Sequence, residues 1–144
     1  MSSLAQDSNL EKVRLADNVK RQVAARILRY QFKPRRTQTK IPLAESQVKR
    51  EWLPEIKNIS FELVPDEKIQ NRGTEVFLLN FNDLEVEGRT YTLSVGWGNF
   101  CNASGNLWSF IVTSNKVRLW PVNGGWGSGC SGSSQPAASK PSNP

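Results

Sequence analysis

Three observations predict an α+β domain in which one long N-terminal amphipathic helix packs on a four- to five-stranded antiparallel meander. Apolar residues recur at three- and four-residue spacing up to Tyr30. Between Arg89 and Trp120, three segments separated by turn clusters show the two-residue alternation of half-buried strands. A basic, proline-bearing stretch separates the two regimes, so helix and strands come in succession rather than in repeated strand–helix units.

The helix has the clearest start signal. Ser8 and Glu11 stand at capping-box spacing, where hydroxyl and carboxylate satisfy each other's open backbone donors. Val13, Ala16, Val19, Val23, Ile27 and Tyr30 then make one stripe, widened by Ala24 and Leu28, while Arg14, Lys20, Arg21 and Arg29 take the other face. The pattern runs for about six turns and stops before Pro34, whose ring clashes with a preceding helical turn.

Residues 33–40, with Lys33, Pro34, Arg35, Arg36 and Lys40, read as an exposed connector. Residues 42–53 predict a short helix, with Pro42 in its first turn and Leu43, Val48 and Trp52 on one side. Ile59, Phe61 and Leu63 alternate with Ser60 and Glu62 as a first strand. A polar loop follows to Gly73. Residues 75–81 are apolar on both faces, as a central strand requires, and Asn82-Asp83 marks a break before a further extended piece that turns at Gly88.

In the meander, Tyr91, Leu93, Val95 and Trp97 alternate with Thr90, Thr92, Ser94 and Gly96; Trp108, Phe110 and Val112 follow the 102–106 turn cluster; Val117 and Leu119 follow Ser114-Asn115. Over residues 8–122 this order of elements is similar to the cystatin-like arrangement, an analogy of element order carried by no motif. It implies a helix lying across the concave apolar face of a twisted sheet. Residues 1–7 are expected to be disordered, residues 8–122 to form one domain, and the Gly/Ser/Pro-rich residues 123–144 to be a low-complexity tail. With 38% hydrophobic residues, a single core layer is expected.

Composition excludes more chemistry than it suggests. There is no histidine, which removes His-based triads, proton shuttles and His-ligated zinc; two cysteines are too few for a four-thiolate metal site. No catalytic residue, metal ligand or cofactor is therefore expected. The net charge is +6 with pI about 9.6. Its basicity is N-terminal: to Lys57 there are 13 Lys and Arg against 6 Asp and Glu, net +7, and beyond it 6 against 7, net −1.

The leading functional expectation is a non-enzymatic binding or protein-interaction module, with a protein or small ligand as partner. Trp97, Phe100 and Trp126 are expected at one end of the sheet, and Trp120 and Arg118 on its polar face, as the contact surface. The alternative is a nucleic-acid or other polyanion binder using segment 20–40 through Lys20, Arg21, Lys33, Arg35, Arg36 and Lys40. A second alternative is a carboxylate-based enzyme, although Glu62, Asp66, Glu67, Glu75, Asp83, Glu85 and Glu87 have no spacing that specifies a site. Cys101 and Cys130 are a candidate disulfide; in a reducing compartment they would be two unrelated thiols. No apolar run is long enough to span a membrane, and with Met1 as the native start the default expectation is the cytoplasm, or an extracytoplasmic site if it is not.

Overall fold

The computed structural model describes residues 15–70 and 74–129. The helix α1 spans Asp17–Gln31 and buries Val19, Val23, Ala24, Ile27 and Leu28, the stripe read from spacing. Ala16 is extended at φ −62°, ψ 145°, and Leu15 is not helical either, so α1 starts later than the Ser8 signal suggests; Ser8, Glu11 and Val13 lie outside the described residues. The capping role at Asp17 is electrostatic, a carboxylate in the first turn facing the positive end of the helix.

Among the described residues seven strands follow: β1 (Thr39–Ala44), β2 (Ile59–Val64), β3 (Val76–Leu79), β4 (Glu85–Glu87), β5 (Thr90–Gly98), β6 (Ala103–Thr113) and β7 (Lys116–Ser128). They form one sheet in the order β2-β1-β3-β5-β6-β7, with β4 pairing on the same edge of β5 as β3. β1 is parallel to both β2 and β3, and every other pair is antiparallel. The α+β class therefore holds, while the purely antiparallel sheet of four or five strands does not.

The difference originates in residues 39–64. Where a short helix was expected over 42–53, Ile41 and Leu43 enter a strand, and only Arg50–Trp52 coils, as a single 3₁₀ turn. Parallel neighbours need crossover connections, ordinarily a full helix. Among the described residues each crossover carries one short helical turn, Arg50–Trp52 from β1 to β2 and the four-residue helix α2 (Asp66–Ile69) from β2 to β3, too short to leave a periodic signal.

The sheet carries apolar residues on both faces, so there are two core layers rather than one. On the inner face, α1 packs on Leu43, Phe77, Leu79, Leu93, Val95 and Phe110, with Leu119 half-buried at the margin. On the outer face, Ile69 of α2 covers Ala44, Val64, Val76 and Leu78, with Trp126 against them. β3 is buried at all four positions because it contributes to both layers, as its unbroken apolar run predicts.

β7 continues six residues past the expected domain end at Val122, pairing through to Ser128 opposite Ala103. The Gly/Ser-rich residues 123–128 are thus part of a strand, and residues 130–144 of the expected tail lie outside the described residues. Among the described residues no helix is long and apolar enough to cross a membrane.

Candidate functional site

The outer face of the meander is set by alternation and register. Leu93 and Val95 point inward, so Thr92 and Ser94 point outward; Thr92 pairs with Ser109 and Ser109 with Trp120, and the two hydroxyl oxygens are 3.0 Å apart. Arg118, opposite Ile111, and Trp120 are thus exposed on this face.

Between Leu107↔Val122 and Asn106↔Gly125 the register of β7 shifts by two residues. Asn123 and Gly124 form the bulge, Gly124 at φ 126°. An even shift preserves the face, so Trp126 also points outward, opposite Gly105. Because Gly105 has no side chain, the indole crosses β6 and its Nε1–H donates to the Val95 carbonyl on β5 at 3.0 Å. The pair Gly96↔Gly105 makes this approach possible: a Cβ on Gly96 would lie 2.0 Å from the Ser104 carbonyl oxygen, and one on Gly105 2.0 Å from that of Val95.

Beside the indole opens a cleft of about 250 Å³ lined by Leu78, Asn80, Asp83, Ser94, Phe100 and Trp126. The Phe100 ring, 40% exposed, is carried on the β5–β6 turn. Buried Asn99 shapes that turn, its Oδ1 accepting from the amides of Cys101 at 2.8 Å and Asn102 at 2.7 Å, while the Phe100 amide donates to Ile69 O at 3.2 Å. Across the cleft, the Asn80 amide donates to Ser94 O at 3.0 Å and the Asp83 amide to Asn80 O at 3.1 Å. Buried Gln47 braces this side: its Nε2 donates to Asn80 Oδ1 at 2.7 Å and its Oε1 accepts from the Leu79 amide at 2.8 Å. With Oδ1 engaged, Asn80 keeps its Nδ2–H₂ donors for a ligand. The Ser94 hydroxyl and the exposed Asp83 carboxylate likewise have no side-chain partner among the described residues.

Of the sequence-predicted contact residues, Phe100 and Trp126 come together and Trp120 and Arg118 share their face. Trp97 does not join them. Its position in β5 has the parity of Val95, so it lies on the inner face, edge-on to Phe77 (5.4 Å) and Phe32 (6.0 Å), and is 39% exposed at the margin of the core. Gln47 and Asn80, which brace the cleft, were not singled out in the sequence; an amide whose partner is more than thirty residues away leaves no local pattern.

The basic residues of segment 20–40 are spread along the molecule. Lys20 and Lys33 stand near opposite ends of α1, roughly 20 Å apart at 1.5 Å per residue. Arg21 is held by Asn18, and Lys33 sits over the Tyr30 ring at 5.4 Å. The Arg35 and Arg36 carbonyls accept from Asn58, and Lys40 is exposed on β1. Asp83 is the one carboxylate that lines the cleft, while Glu85 and Glu87 are exposed on β4. Among the described residues there is no grouping of three or more His, Cys, Asp or Glu that could hold a metal. The groups with displaced pKa values are remote from the cleft: the hydrogen bond from Lys49 lowers Asp17, and the same bond raises Lys49. Cys101 is half-buried with Sγ 3.9 Å from Gln70 O, and Cys130 lies outside the described residues. No family model, curated protein or solved structure matches the chain.

Proposed function

We propose that the chain is a non-enzymatic binding module that holds a small polyhydroxylated ligand, about one sugar ring in size, in the outer-face cleft. The observation that carries this reading is the pairing of two aromatic rings, Phe100 and Trp126, with the uncommitted polar groups of Asn80, Asp83 and Ser94 around one cavity. Pyranose rings have an apolar C–H face, which an aromatic ring desolvates, and a rim of hydroxyls that both donate and accept. The cleft offers donors on Asn80, acceptors on Asp83 and both on Ser94. At about 250 Å³ it is smaller than the pockets that enclose drug-sized ligands, which favours a single ring over an extended organic cofactor.

Trp120 and Arg118 extend the same face and would meet the next unit of a longer chain. The test is an amide-resolved NMR titration with a panel of monosaccharides and short oligosaccharides. At least one is expected to shift the Ser94, Phe100 and Trp126 signals. Phe100→Ala and Asp83→Asn, both at exposed positions, are expected to weaken it about tenfold each, in line with the loss of a stacking surface or a charged hydrogen bond. Unchanged affinity in both variants, or no saccharide that moves these signals, would remove the reading.

A further inference from the structure

We infer that the free edge of β2 is a docking site for an extended acidic peptide, which adds to the sheet as an eighth strand. Among the described residues β2 is the terminal strand of the sheet, and apart from the isolated Ile56–Ile59 bridge it pairs only with β1. The carbonyls of Asn58 and Val64 are turned toward β1, accepting from Thr39 and Glu45. Alternate residues of a strand direct their backbone groups to the same side, so Phe61 and Leu63 turn N–H and C=O away from the sheet. The Ile59 amide is already used by Ile56 O, which leaves Phe61 and Leu63 as the open rungs.

Edge strands ordinarily carry protection against such pairing. β7, the other edge, has Pro121, the two-residue bulge and the cations Lys116 and Arg118. β2 has no proline, no lysine and no bulge. A groove of about 720 Å³ runs alongside it, with Leu53, Ile56, Ile59 and Phe61 as an apolar floor and Arg50 and Lys57 on its rim. Through Glu55, Ile56 and Lys57 it continues into a second hollow that reaches Arg29 and Lys33 at the end of α1. Within the groove and the hollow four cations face the single carboxylate of Glu55, which selects an acidic occupant whose carboxylates lie on that side, since the exposed Glu62 of β2 occupies the opposite one. The open rungs require a backbone that can pair, and the half-buried floor takes every second side chain. That combination is strand addition with charge selection.

The probe is the synthetic nine-residue peptide Val-Thr-Glu-Thr-Val-Thr-Glu-Thr-Val with blocked ends, whose groove-side positions carry both valine and glutamate. On the full chain, it is expected to slow hydrogen exchange at the Phe61 and Leu63 amides. The same peptide N-methylated at every second residue keeps its charges but cannot pair, and is expected to bind at least tenfold more weakly. Arg50→Glu with Lys57→Glu, both at exposed positions, is expected to weaken the parent peptide by a similar factor at low salt and less at high salt. Equal binding of the methylated peptide, protection on β7 in place of β2, or binding of a thymidine oligonucleotide more tightly than the peptide would each overturn the inference. The outcome does not depend on the outer-face cleft.

Discussion

Phe110 stacks on Tyr91 at 5.1 Å with the rings 12° from parallel and is fully buried beneath α1. Its truncation to alanine leaves a cavity that the surrounding β-strands cannot close, and is expected to cost about 3–5 kcal/mol in urea unfolding. Gly96 and Gly105 are constrained for a different reason. A methyl group at either meets a carbonyl oxygen of the neighbouring strand at 2.0 Å, so Gly96→Ala or Gly105→Ala must part β5 from β6. Each is expected to cost more than about 3 kcal/mol by thermal melting, far above what a surface glycine would show. Alternation alone identified Leu93, Val95 and Phe110 as inward, because a period of two is a local property of the chain. It also fixes Trp97 on the inner face; the expectation that it joins Phe100 and Trp126 followed sequence proximity instead of parity. Gln47 and Asn80 were not legible, since burial of a polar side chain depends on a partner distant in sequence.

At the scale of elements, α1 is attached to the meander by two bonds at the β6–β7 turn. Gln22 Nε2 donates to Asn115 O at 2.8 Å, and Arg26 to Val117 O at 2.6 Å. Arg26→Ala is expected to cost about 1–2 kcal/mol and to speed amide exchange around residues 115–117, whereas Arg29→Ala, which makes no such bond, is expected to be near neutral. The Asp17–Lys49 pair joins the start of α1 to the segment preceding the 3₁₀ turn. Its contribution fades as pH falls through the lowered Asp17 value and as it rises through the raised Lys49 value. Both groups are exposed, so Lys49→Ala should have little effect at high salt. The register of β6 and β7 also bears on the cysteines. Ala103↔Ser128 is the last rung among the described residues; in sequence, Cys101 stands two residues before one member of it and Cys130 two residues after the other. On this ground we propose the Cys101–Cys130 disulfide, closing the end of β7 beside Phe100. Alkylation of the native chain is expected to find no reactive thiol, and two would contradict the pairing. Helix α1 and strands β5, β6 and β7 were legible because each is long and periodic. β1 was not, because Pro42 resembles a first helical turn and the parallel crossovers are single turns.

For the molecule as a whole, the second core layer explains how so much polar chain is ordered. Among the described residues, one face of the sheet is closed by α1, and the other is closed by α2 near β1 and β3 and left open over β5, β6 and β7. The cleft lies where that cover ends, between Ile69's turn and the indole of Trp126. The two-residue bulge keeps Trp126 on the open face, so deleting Asn123 alone should turn the indole to the inner face and abolish saccharide binding, while deleting Asn123 and Gly124 together should preserve its direction. The most direct test of the binding account is the indole Nε1–H resonance of Trp126 followed during the saccharide titration. A ligand in the cleft is predicted to move it together with Ser94 and Phe100, leaving Trp97 on the opposite face unchanged. Shifts centred on Trp97, or a Trp126 signal that stays fixed while a saccharide binds, would contradict it.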